Sequence, residues 1–151
     1  MKRFSIGLVV LAVTAALVAV AASMAAASPG KAAATRTEAV HIVIKSDTEH
    51  GKKGPDGKWH DAFLPASFTV KRGDVVTVSV ANYDDSMHTF NAAGLHVDEV
   101  IMGGSAAKPR ITTFRFTATK DGKFAWHCDP KCDPWAMHHV GYMRGVVTVT
   151  G

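Results

Sequence analysis

Between Gly122 and Gly145 the chain reads GKFAWHCDPKCDPWAMHHVGYMRG, and this stretch holds both of its cysteines, three of its eight histidines and two of its six methionines. Cys128, Cys132, His139 and Met143 offer two thiols, an imidazole and a thioether. These are soft and borderline donors that favour copper over calcium or magnesium. Phe124, Trp126 and Cys128 share one parity in a strand-like run, so the thiol is expected on the same buried side as the two rings. Pro134 and Gly141 break the segment that follows, which predicts a ligand-bearing loop curling back over the cysteine before strand character resumes at 145–149.

The elements that must position these groups begin after a leader. Met1-Lys2-Arg3 precedes an apolar run from Phe4 to about Ala22 and then SMAAAS, the pattern of a secretory signal cut near Ala27. A retained N-terminal anchor is the alternative, because the run just reaches the length of a membrane span. The organisation expected is a signal peptide over 1–27, a flexible lead-in over 28–38 and one domain over 39–151. Lys2 and Arg3 fall in the leader, leaving fifteen basic residues against thirteen acidic ones. A balance so near neutrality argues against nucleic acid as a partner. The two cysteines, placed in an oxidising compartment, could also pair with each other.

Along the chain, 40–44 alternates as a first strand with Val40, Ile42 and Ile44 on one face. The polar, glycine-rich stretch 46–61 reads as a surface hairpin or loop around Pro55-Asp56-Gly57, with His50 and His60 exposed to solvent. Further strands are expected at 67–70, at 75–80 with Val76, Val78 and Val80 facing inward, and at 111–118 with Thr112, Phe114 and Phe116 on one side. The 75–80 pattern is that of an antiparallel sheet half buried on one face. Asn82 to Ser86 is a polar loop, and His88 follows at a loop-to-strand junction beside Met87 and Phe90, a place where a histidine can be buried with both ring nitrogens committed. Lys120-Asp121-Gly122 is a hairpin turn into the cysteine-bearing strand. Six to eight short strands and no long helix after the leader point to an all-β sandwich or barrel.

Three groups of residues resemble the cupredoxin family over roughly residues 62–150: Phe68-Thr69-Val70 with Gly73-Asp74 and Val76, Met87-His88-Thr89-Phe90, and Gly122-x-Phe124-x-Trp126-x-Cys128 followed by His139-x3-Met143-x-Gly145. The resemblance implies a Greek-key β-sandwich in which a histidine from mid-chain joins a cysteine, a histidine and a methionine from the last loop around copper. Carried onto this chain, the implied ligands are His88, Cys128, His139 and Met143. Two features depart from the simple pattern. The Cys128–His139 gap is long, and Cys132 adds a Cys-x3-Cys spacing similar to that of the dinuclear copper-A domain of oxidases. In that domain a histidine follows the second cysteine after three residues, where this chain has Ala136.

Three readings therefore stand: one copper on Cys128, a site that includes Cys132 and holds one or two coppers, or a metal-free module with a Cys128–Cys132 disulfide. His138 is the alternative to His139 as the second imidazole. His41, His96 and His127 read as surface or structural residues, and Met87, Met102 and Met137 as packing residues. The leading expectation is a secreted, periplasmic or cell-surface single-electron carrier that is not a catalyst by itself. Its partner would be a redox protein or a copper-dependent oxidase. Copper handling, with Cu(I) passed to such a partner, is the competing function.

Overall fold

The computed structural model describes residues 36–129 and 132–151. The expected leader and most of the lead-in lie outside the described residues. Eleven strands and three single 3-10 turns account for the regular structure, and among the described residues there is no α-helix. β1 (Thr37–Lys45), β4 (Ala62–Leu64), β6 (Val75–Asn82) and β9 (Arg110–Thr117) form one sheet in the order β4-β1-β6-β9. β5 (Phe68–Lys71), β7 (His88–Ala92), β8 (Val97–Ile101), β10 (Gly122–His127) and β11 (Arg144–Thr150) form the other, ordered β5-β11-β10-β7-β8. β2 (Lys52–Lys53) and β3 (Trp59–His60) make a separate short hairpin.

Period-two alternation builds the core. Ile42 and Ile44 from β1, Val76, Val78 and Val80 from β6, and Phe114 and Phe116 from β9 turn inward and meet Val147 and Val149 of β11, Phe90 of β7 and Trp126 of β10. Phe63, Phe90, Phe114 and Trp126 form a continuous aromatic cluster, with Phe90 and Trp126 stacked at 4.5 Å between ring centroids. The indole N–H of Trp126 donates to the Ala66 carbonyl at 2.7 Å, so the one polar atom of the largest core ring is satisfied. The inward faces expected for 40–44, 75–80 and 111–118 are those observed.

The sheets are mixed where an antiparallel one is expected. β6 pairs antiparallel with β9 but parallel with β1, and β5 runs parallel to β11. Hydrophobic alternation specifies which side of a strand is buried and is blind to the direction of its neighbour, so this distinction lies outside what the pattern encodes. The first strand begins at Thr37, two residues ahead of the expected domain boundary. It is anchored there by Val75 N–H donating to the Arg36 carbonyl and by Arg36, whose guanidinium makes two bonds to the buried Asp74 carboxylate at 2.8 and 2.9 Å.

One consequence of the strand order governs the site. β11, β10 and β7 are neighbours, and β10 runs antiparallel to both of the others. β10 therefore ends beside the beginning of β11, with His127 opposite Arg144, and the residues that follow it run on from Asn91 toward the beginning of β7. Cys128 follows β10, Met143 precedes β11 and His88 opens β7, so all three are delivered to the same rim of the sandwich.

Candidate metal centre

Backbone bonds lock this rim. The Cys128 N–H donates to the Met143 carbonyl at 2.9 Å, which extends the β10–β11 ladder by one rung. On the other side the Asp129 N–H donates to the Thr89 hydroxyl at 2.9 Å, and the Asn91 amide donates to the Asp129 carboxylate. Thr89 N–H in turn donates to the Cys128 sulfur at 3.4 Å. With β10 clamped between its neighbours, His88 Nδ1, Cys128 Sγ and Cys132 Sγ come within 4.8 Å of one another. The two sulfurs are 3.5 Å apart, and His88 Nδ1 lies 3.1 Å from Cys132 and 3.8 Å from Cys128. Met143 is fully buried beside Cys128.

Ring orientation at His88 is fixed from behind. Its Nε2 bonds to the Asp84 carboxylate at 2.8 Å, which leaves Nδ1 aimed at the sulfurs. Asp84 is held by its own N–H donating to Asn82 Oδ1, and the Asn82 side-chain amide donates to the carbonyls of Ser86 and Met102. A chain of contacts thus runs from fully buried Asn82 through Asp84 to the imidazole. A carboxylate behind an imidazole both orients it and raises its basicity toward a metal.

The protons of the cluster are shared. Cys128 is pulled well below the ordinary thiol range, first by the Cys132 S–H bonding to it, against the opposing effect of burial, with His88 and the Thr89 N–H adding to the pull. Cys132 moves the opposite way, because the negative sulfur of Cys128 and its own burial hold the proton on it. Burial lowers the His88 pKa, but the sulfur of Cys128 and the Asp84 carboxylate outweigh it and the net direction is up. The two sulfurs and the imidazole thus share protons, with Cys128 the more acidic of the two thiols.

A soft ion fits this donor set. The converging atoms are two sulfurs and one imidazole nitrogen, no carboxylate is among them, and fully buried Met143 is the backbone partner of Cys128 across the ladder. Thiolate and thioether are the ligands that select Cu(I). Cys128 is buried and Cys132 half-buried, and both are free thiols.

Four of the five expected site residues gather at this rim: His88, Cys128, Cys132 and Met143. His139 does not join them. Its ring is exposed, stacks on Trp135 at 3.5 Å and bonds through Nδ1 to the Trp135 carbonyl at 2.6 Å. The reason is the 3-10 turn Ala136–His138, which turns the chain so that Ala136 is buried while His138 and His139 face solvent. Proximity to Met143 in sequence does not survive that turn.

The loop that carries Cys132 and Met143 is tied down by a residue expected in solvent. His60 is buried, with Nδ1 bonded to Asp133 at 2.6 Å and Nε2 to Asp56 at 3.1 Å, and its ring stacks on Trp135 at 4.0 Å. Asp133 also accepts the N–H groups of Trp135 and Ala136 at 2.8 and 3.0 Å. Lys52 Nζ donates to the Gly141 carbonyl, and the Tyr142 hydroxyl donates to the Lys53 carbonyl. The β2–β3 hairpin is thus a clamp on the loop. His41 and His127 lie exposed as expected, and His96, read as structural, is exposed as well. Met137 packs half-buried against the core, but Met87 and Met102 turn outward, against the expectation that they pack.

Asp84, Asn82 and the His60–Asp133 pair are the supporting residues that sequence reasoning passed over. The one available signal was Asp84-x3-His88 itself, since a carboxylate four residues before a candidate ligand can reach its far nitrogen. The pairing of His60 with Asp133 crosses 73 residues and had no local signature.

Among curated proteins no relative matches the chain. Solved structures of similar fold include the metal-binding domain of the Streptococcus pneumoniae D39 Cu(I)-exporting P-type ATPase CopA with Cu(I), at 14% identity and a TM-score of 0.51, covering 76% of this chain and 87% of that one. The multicopper oxidase mgLAC matches at 21% identity and a TM-score of 0.52, covering 76% of this chain and 39% of the oxidase. A chain of a heme-copper terminal oxidase dimer matches at 17% identity and a TM-score of 0.52, covering 77% of this chain and 65% of that one. This chain therefore spans well under half of the multicopper oxidase and just under two thirds of the terminal oxidase chain. At these identities the likeness is one of fold. The family described as the cupredoxin-like domain matches residues 12–149, nearly the whole length, and the chain belongs to that family.

Proposed function

We propose that this domain binds copper as Cu(I) through Cys128, Cys132, His88 and Met143 and passes it to a partner protein outside the cytoplasm. The observation that carries the reading is the composition of the converging set: two sulfurs and a single imidazole within 4.8 Å, with His139 turned away. Sulfur donors favour the softer oxidation state, and Cys132, only half-buried, leaves the ion a route to an incoming ligand. The Streptococcus domain of similar fold described with Cu(I) supports the view that such a sandwich can hold that ion. The basic start and apolar run of the leader support export to the periplasm, the cell surface or the medium. A copper-dependent oxidase fits as recipient, and the reading assigns no catalytic step to this chain.

A second reading, single-electron transfer, is favoured by one observation: the buried Cys128 sulfur receives the Thr89 N–H, and strand pairing holds it rigidly near His88. Copper there would supply reversible one-electron chemistry, and the fixed donors would limit rearrangement.

One experiment separates the two. The purified protein is loaded with Cu(I) under anaerobic conditions, competed against a chromophoric Cu(I) chelator, and examined after Cu(II) addition by visible absorption and electron paramagnetic resonance. Tight, exchangeable Cu(I) with no stable coloured Cu(II) form supports delivery. An intense colour that bleaches reversibly on reduction moves the assignment to the electron carrier. Failure to bind either ion ends the copper reading.

A further inference from the structure

Two methionines next to the cluster turn outward. Met87 and Met102 are 46% and 45% exposed, whereas Met143 is fully buried and Met137 half-buried. The β7–β8 register ends with His88 opposite Ile101, and Met87 and Met102 are the residues immediately beyond that last pair. Two further contacts hold these flanking segments together. The buried Asn82 amide bonds to both the Ser86 and the Met102 carbonyls, and Gly103 lies so close to Asp85 and Ser86 that a Cβ on it would meet the Asp85 carbonyl at 2.0 Å. Side chains directly opposite in an antiparallel pair start about 4.5–5.5 Å apart at Cβ, a span that two thioethers can close around one ion.

We infer that Met87 and Met102 form a second, surface site for Cu(I), a labile two-thioether station from which the ion moves to the buried cluster. The inference rests on the copper reading above, since only a soft monovalent ion gains from thioether donors alone. Its position suits the task. Met87 faces out while the very next residue, His88, faces in, and the Cys132 sulfur lies 3.8 Å from the Met87 carbonyl. Transfer is ligand exchange without change of oxidation state. The bonds from Cu(I) to the two thioethers break, a bond to the Cys132 sulfur forms, and the proton of that thiol leaves to solvent.

The test labels the methionine methyl groups with carbon-13 and follows them by NMR as Cu(I), or Ag(I) as a diamagnetic substitute, is added. Resonances are assigned through Met87→Leu and Met102→Leu, changes at exposed positions that leave the fold intact. The same titration is run on the Cys128→Ser/Cys132→Ser protein, which removes the buried thiols and keeps the surface pair. The Met87 and Met102 methyl signals are expected to shift together, saturating with one equivalent in the double-serine protein and with a second, weaker equivalent in the unmodified one. The double leucine variant is expected to take copper from a chelator several-fold more slowly, with an unchanged equilibrium affinity at the buried cluster. Absence of the paired shift in both proteins, or movement of one methyl without the other, overturns the inference. In that case copper bound at Cys128 would still leave the delivery reading standing. A paired shift without any binding at the cysteines would leave the two methionines as a copper site but overturn both their role as a station and the delivery reading.

Discussion

At the scale of single residues the centre is defined by which imidazole reaches the sulfurs. His88 Nδ1 is 3.1 Å from Cys132 Sγ, and His139 is bonded instead to the Trp135 carbonyl. Replacing His139→Ala should therefore leave Cu(I) affinity within about twofold, while His88→Ala should lower it by an order of magnitude or more, as read by chelator competition. Equal losses in the two variants would show that the 129–143 loop rearranges on metal binding. The Asp84 carboxylate is the next determinant, because it is the only partner of the His88 far nitrogen among the described residues. Asp84→Asn keeps the shape and removes the charge, and about a 10–100-fold loss of copper affinity is expected, the usual cost of removing such a supporting carboxylate. Unchanged circular dichroism alongside that loss would show that the effect acts through the histidine.

At the scale of elements the rim depends on how closely β11 passes the loop before β5. Gly145 has no room for a side chain: a Cβ there would meet the Ala66 carbonyl at 1.7 Å and the Trp126 Nε1 at 2.7 Å. The same carbonyl accepts the indole N–H, so Gly145→Ala drives a methyl group into a buried hydrogen bond beside the strand that carries Met143. Overpacking of this kind costs about 1–3 kcal/mol, and because a bond is lost as well the upper end is expected from denaturant unfolding. Tryptophan fluorescence should shift with it, since Trp126 is the ring displaced.

At the scale of the whole molecule, stability should depend on pH through a buried carboxyl next to the clamp. Asp61 is buried, and burial, reinforced by the charge of Asp84, raises it to about 6 despite a hydrogen bond from the Asp47 N–H. A carboxyl with a raised folded-state pKa binds its proton more tightly in the folded protein than in the unfolded chain. Its contribution is fully present below the ordinary value near 3.8, is lost as pH rises toward about 6, and is constant above that. Asp61→Asn keeps an acceptor oxygen for the Asp47 N–H and removes the titration. The variant should be more stable than the parent above about pH 6, and the difference should vanish toward pH 4, as measured by urea midpoints across that range. His60 titrates in both proteins, so its contribution cancels in the difference between the two profiles.

The sequence by itself determined the all-β character, the inward faces of the strands and the side of its strand on which the Cys128 sulfur lies. These are written locally, in period-two alternation such as Val76, Val78 and Val80 and in the parity that puts Cys128 with Trp126. The resemblance carried by Met87-His88-Thr89-Phe90 supplied His88, which no local pattern would have joined to a cysteine forty residues away. Only the tertiary structure decided the rest. Strand order brought β7 beside β10, a single 3-10 turn took His139 out of reach, and a pairing across 73 residues buried His60 against Asp133. Short-range periodicity reports which side of an element faces the core, whereas a metal centre depends on which element ends are neighbours. That is fixed by long-range pairing whose energy comes from contacts between segments far apart in the chain.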